Sequence, residues 1–171
     1  MTSATTITVR RARTSDVPLI RSLVAPLADE RILVAKEAVA YYEGLQEFRI
    51  AEGPEGQVVG CGALHVMWED LAEVRTLATD SRWRGRGVGH TLLEALLADA
   101  SDIGVKRVFC LTFEVEFFRR HGFGVMANQS AVDPEVYSEL LRSHDEGVAE
   151  FLDLARVKPN TLGNTRMIRT L

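Results

Sequence analysis

Ser81-Arg82-Trp83-Arg84-Gly85-Arg86-Gly87-Val88-Gly89 joins a strand pattern, Leu71–Ala78, to a long helical one. Alternating glycines remove side chains, so successive backbone N–H groups can approach a ligand closely. Those amides open a helix, where unpaired donors and the macrodipole both favour an anion. Arg82, Arg84 and Arg86 place three positive charges at that same end, against the dipole, on a chain whose net charge is −4. A bound phosphate resolves the conflict. The loop lacks the Lys-Ser/Thr ending of a nucleoside-triphosphate loop, and His90 stands where a dinucleotide fingerprint needs its third glycine.

Outward from the loop, Val88, Leu92, Ala95 and Leu96 mark the apolar face of the helix, with Gly104 as its terminator. Val105–Phe113 reads as a buried strand, and Val115–Arg120 as a short helix closed by Gly122. Upstream, Ile7–Val9 is a short strand. Thr14-Ser15-Asp16 then caps a helix carrying Ile20, Leu23, Val24 and Leu27. A weaker helical pattern takes Ala38, Tyr42 and Leu45. Phe48–Ala51 and Val58–Met67 form a hairpin across the turn Gly53-Pro54-Glu55-Gly56, and Trp68-Glu69-Asp70 turns into Leu71–Ala78. Asp133-Pro134 starts another helix, Ser143–Gly163 has no clear pattern, and Thr165–Leu171 is a last strand. The order is mixed α/β, with an antiparallel meander ahead of the glycine loop.

A length of 171 residues suits one domain, taken as 7–171 with a cofactor core at about 71–123. Twenty Lys+Arg against 24 Asp+Glu argue against a general nucleic-acid binder. No apolar run reaches the ~20 residues that span a bilayer, and the N-terminal stretch has no signal-peptide core. Cys61 and Cys110 lie in apolar runs and read as buried thiols of a reducing, cytoplasmic compartment. The histidines, His65, His90, His121 and His144, have no metal-ligand companion at suitable spacing along the chain. No metal is expected. Homodimerisation is left open.

Arg84-Gly85-Arg86-Gly87-Val88-Gly89 resembles the Arg/Gln-x-x-Gly-x-Gly/Ala signature of the GNAT superfamily of N-acetyltransferases. Glu73–Thr79 before it and Phe117-Phe118-Arg119-Arg120-His121-Gly122-Phe123 after it resemble the neighbouring motifs. The resemblance implies an α+β fold whose mostly antiparallel sheet splays to admit acetyl-coenzyme A. Its pyrophosphate would rest on Arg84, Gly85, Arg86, Gly87, Val88 and Gly89, and its pantetheine beside Leu77, Ala78, Thr79 and Phe118. A narrower likeness, carried by Ala25-Pro26-Leu27, Ile32-Leu33-Val34, Ala72-Glu73-Val74 and Leu111-Thr112, is to the acetyltransferase domain of bacterial N-acetylglutamate synthases. It implies acetyl transfer to the α-amine of a small amino acid, the first step of arginine synthesis.

Two departures matter. Only Lys36 matches the two basic residues that follow the Ile-Leu-Val run in the synthases, so glutamine is as plausible an acceptor as glutamate. Phe118 stands where many superfamily members place a tyrosine acid. Glu73 matches the synthases' base, and in an apolar setting it would accept a proton from the amine directly or through water. Lys36, Arg75, Thr112 and Arg166 are the candidates for holding the substrate. Other acceptors (a protein N-terminus, lysine, polyamine or drug amine) and a non-catalytic coenzyme A sensor remain open.

Overall fold

The computed structural model describes residues 5–33, 36–126, 132–152 and 163–171. Val34 and Ala35, and much of the Ser143–Gly163 stretch, therefore lie outside the described residues. In chain order the elements are β1 (Thr8–Arg11), α1 (Val17–Asp29), α2 (Ala38–Glu43), β2 (Phe48–Glu52), β3 (Val58–Trp68), β4 (Leu71–Thr79) and α3 (Val88–Asp102). There follow β5 (Arg107–Thr112), α4 (Val115–Arg120), β6 (Gly124–Val125), α5 (Pro134–Leu140), α6 (Glu146–Phe151) and β7 (Thr165–Thr170). Among the described residues they build one sheet of order β1-β2-β3-β4-β5-β7-β6. Every neighbouring pair is antiparallel except β4 and β5.

That one parallel pair shapes the molecule. β4 and β5 share register only over Leu71–Glu73 and Arg107–Phe109, then part, so Val74–Thr79 faces an opening rather than a partner. Strand alternation sorts the core into two layers. Ala72, Val74, Val108, Cys110 and Met167 pack with Leu93, Leu96 and Leu97 of α3 and with Phe118 of α4. Leu71 and Phe109 face the other way, onto Leu140 of α5 and Phe151 of α6, with the Phe109 and Phe151 rings edge to face at 4.9 Å. Ile50, Cys61 and Ala63 cover α1 on that second face.

Glycine sets how closely α3 docks. A β-carbon on Gly60 of β3 would stand 2.7 Å from Val88 Cγ1, and one on Gly62 would stand 2.9 Å from Leu96 Cδ1. The apolar face of α3 is wider than its sequence spacing shows, since Leu93, Leu97 and Ala100 are buried beside Val88, Leu92 and Leu96. In α2 the buried ring is Tyr41, and Tyr42 of the sequence reading is exposed; the tilted contact of Tyr41 with Phe48 at 6.0 Å sets the helix rotation. The pattern-free stretch contains α6. Among the described residues, no helix is long and apolar enough to cross a membrane.

Candidate active site

β4 carries a bulge. Between Arg75 and Ala78 it spends three steps where β3 spends two, from Ala63 to Cys61. The extra residue lies at Thr76, whose φ of 54° is left-handed. That conformation costs a β-branched residue roughly 1–3 kcal/mol and persists only where surrounding packing enforces it. Cys61 Sγ donates to the Thr76 carbonyl at 3.5 Å. The bulge shifts side-chain parity by one: Ala72 and Val74 face α3, and so does Leu77. Glu73 and Arg75 thus look to the α6 side, while Leu77 and Thr79 face the opening between β4 and β5.

The opening between β4 and β5 is a cleft of about 820 Å³. Leu77 and Thr79 form one wall, Thr112 and Phe118 another, and Arg84, Gly85, Gly87, Val88 and Gly89 its end. Gly85 and Gly87 have φ of 74° and 83°, with open space where a β-carbon would project. Their left-handed turn delivers the chain into α3, a helix of 15 residues whose first N–H groups have no intrahelical acceptor. The cradle fits a diphosphate. The three arginines are not equivalent: Arg82 is paired with Asp80 at 2.8 Å, Arg86 lies over the Trp83 ring at 4.9 Å, and Arg84 lines the cleft. Ala78 packs toward α1 instead.

A smaller cavity of about 70 Å³ adjoins the cleft and shares Ile32, Leu33, Arg75, Thr76 and Leu111 with it. Lys36, Glu73, Glu146, Gly147 and Asn164 complete its lining. Here the setting of Glu73 differs from the apolar one its sequence suggests. The residue is buried mid-sheet, and Arg75 donates to its Oε2 at 2.6 and 3.1 Å. The same guanidinium donates to both oxygens of Asp145, at 2.7 and 2.8 Å. Asp145 in turn accepts from the Val148 N–H in the first turn of α6, and His65 Nδ1 lies 2.7 Å from Glu47 on the far side.

Electrostatics follow from this arrangement. Burial opposes the Arg75 charge, but Glu73 and Asp145 outweigh it and raise its pKa further. Burial likewise opposes the Asp145 charge, yet the Arg75 hydrogen bonds and charge hold its carboxyl well below the usual carboxylate range. Burial, reinforced by the Arg75 charge, pushes the Lys36 ammonium down, while Asp145, Glu73 and Glu47 pull it back. The Cys61 thiol, in an apolar core, is pushed up to about 12 and is inert.

Of the residues expected to hold a substrate, Lys36 and Arg75 line the small cavity and Thr112 lines the cleft, its Oγ1 accepting from the Glu114 N–H at 2.8 Å. Arg75 is already engaged by two carboxylates. Arg166 lines neither space; its Nη1 donates to the Phe151 carbonyl at 2.7 Å and fixes the end of α6. Sequence reasoning passed over Asp145, Gly147 and Thr76. Asp145 carries an N-cap signal, Asp-Glu-Gly-Val, but its ion pair with a residue 70 positions away leaves no local trace.

Known proteins resemble this chain at several levels. The model of the "Acetyltransferase (GNAT) family" matches residues 27–123. An amino-acid acetyltransferase of Mycobacterium tuberculosis is 55% identical over 95% of this chain and 94% of its own length. A Mycobacterium tuberculosis crystal structure, in complex with CoA and NLQ, superposes with a TM-score of 0.92 at 55% identity, over 96% of this chain and 99% of that one. A Neisseria gonorrhoeae N-acetylglutamate synthase shares the fold at a TM-score of 0.78 and 24% identity, with 97% of this chain covering 35% of that larger one.

Proposed function

The chain belongs to the acetyltransferase (GNAT) family, and from that premise we propose that it transfers acetyl from acetyl-coenzyme A to the α-amine of a small amino acid, glutamate or glutamine. The observation that carries this reading is the meeting of the two cavities. The diphosphate cradle lies at one end of the large cleft, and the pocket holding Glu73 and Lys36 opens beside Thr76 and Leu111. An amine held in the small pocket would meet the end of a pantetheine chain laid along the cleft, in the manner of an entropy trap.

Each residue then has one task. Lys36 receives the substrate carboxylate as a point charge. An amino-acid amine is mostly protonated near neutral pH, so its nitrogen needs an acceptor before it can attack the thioester. Both Arg75 contacts fall on Glu73 Oε2, leaving Oε1 as the acceptor, directly or through one water. Arg75 orients that carboxylate, and Asp145 orients Arg75. Backbone N–H groups released from the ladder by the Thr76 bulge stabilise the oxyanion of the tetrahedral intermediate; a single such donor contributes ~3 kcal/mol in other enzymes. Phe118 supplies no proton, so the departing thiolate takes one from solvent in the open cleft.

The enzyme works in the reducing cytoplasm, consistent with free, buried Cys61 and Cys110, at the entry to arginine synthesis. Incubation with acetyl-coenzyme A and single amino acids, following release of free thiol, tests the proposal. Thiol release with glutamate or glutamine supports it; release confined to peptides, polyamines or aminoglycosides contradicts it.

A further inference from the structure

We propose that His90, Glu94 and His121 form a binding site for one divalent transition-metal ion, zinc(II) above all, at the rim of the cofactor cleft. The inference stands apart from the acetyl-transfer chemistry and assigns the ion no part in it. Along the chain His90 has only the carboxylate of Glu94 at ligand spacing, and the fold brings His121 to the pair. His90 and Glu94 are four residues apart on α3 and share a helix face. His121, at the end of α4, faces them, and one ligand atom from each residue lies within 4.8 Å of the others.

The proton positions favour metal ligation. His121 Nδ1 lies 2.7 Å from the Phe117 carbonyl, which only accepts, so Nδ1 carries the proton and Nε2 keeps its lone pair. A ring N–H donated to a backbone carbonyl is the support that fixes metal-binding imidazoles in their working tautomer. The Phe117 ring, 4.6 Å from the His121 ring, adds packing. In the ion-free state His90 Nδ1 donates to His121 Nε2 at 2.8 Å. Tetrahedral zinc with Zn–N bonds of ~2.0–2.1 Å holds two nitrogens about 3.3 Å apart, so the rings need open by only about half an ångström. His90 then moves its proton to Nε2 and turns its Nδ1 lone pair on the ion. Two imidazoles and one carboxylate are a donor set suited to zinc, with a fourth position left for water.

Zinc(II) titration by calorimetry, and cobalt(II) titration followed by visible absorption, test the site in the protein without coenzyme A. The expected result is one ion per chain at micromolar affinity, with the intense visible bands of tetrahedral cobalt. His90 and Glu94 are exposed, so H90Q and E94Q keep the fold, as circular dichroism will verify; each should weaken binding at least about tenfold. H144Q should leave it unchanged. Absence of binding at millimolar metal, or affinity unaltered in H90Q and E94Q, overturns the proposal.

Discussion

The backbone of Gly147 lies so close over the Arg75 guanidinium that a β-carbon there would stand 2.5 Å from Nη2 and 2.7 Å from Glu73 Oε2. A long side chain can usually yield to such an intrusion. Arg75 cannot, because Glu73 and Asp145 pin it from two sides and it is 8% exposed. Gly147→Ala should therefore lower stability by about 1–3 kcal/mol, an overpacking cost. It should also reduce kcat while leaving coenzyme A affinity close to that of the parent. Thermal unfolding and calorimetry read the two effects separately; unchanged stability with full turnover would remove the contact from the site.

Asp145 gives the site an acid limit. Its folded pKa is depressed, so the pairing with Arg75 contributes stability that is fully present above the ordinary carboxylate value of about 3.9 and is lost as pH falls through the folded value. Asp16, held by Arg10 and the Arg13 N–H, titrates with the same sign. The unfolding midpoint should fall on acidification below about pH 4. Asp145→Asn should be less stable at neutral pH and show a shallower acid dependence. Parallel profiles for the two proteins would contradict the assignment.

Lys36 sets the opposite limit. Burial and the Arg75 charge lower its pKa, so it loses its proton sooner than an ordinary lysine as pH rises. KM for the amino acid should climb on the alkaline side while KM for acetyl-coenzyme A stays level. Lys36→Met should raise KM for the amino acid at neutral pH and abolish the alkaline climb. Steady-state kinetics at several pH values will show whether the two substrates part company in this way.

At the far end of the cleft the arginines divide. Arg84→Ala should weaken coenzyme A binding a few-fold, an effect that shrinks as salt is raised, because an exposed charge is screened over ~8–10 Å. Arg82→Ala should change little, since that guanidinium is committed to Asp80. Equal losses in both variants would mean that only the summed charge of the loop matters.

How much of this was legible in advance depends on how local its cause is. The glycine loop, the hairpin turn at Gly53–Gly56 and the strand before the loop follow from residues within a few positions of one another, and they fix the glycine-lined end of the cleft. Glu73 was identifiable through resemblance, but its environment was not, because Arg75, Asp145 and Gly147 converge from β4 and α6. The Thr76 bulge had no signature at all. A threonine at positive φ is imposed by register against β3 and by packing on both faces, which no short window of sequence contains. Tyr41 and Tyr42 make the same point: adjacent identical side chains are told apart only by the Phe48 ring that one of them meets.

The claim on which the rest turns is that Glu73 takes the proton from the amine. Glu73→Gln keeps the shape of the side chain and removes its basicity, so single-turnover acetylation and coenzyme A affinity should be measured side by side on that variant. The expected result is coenzyme A binding within a few-fold of the parent and a rate of acetyl transfer reduced by about 10²–10⁴. A variant that binds coenzyme A and acetylates at the parental rate would contradict it.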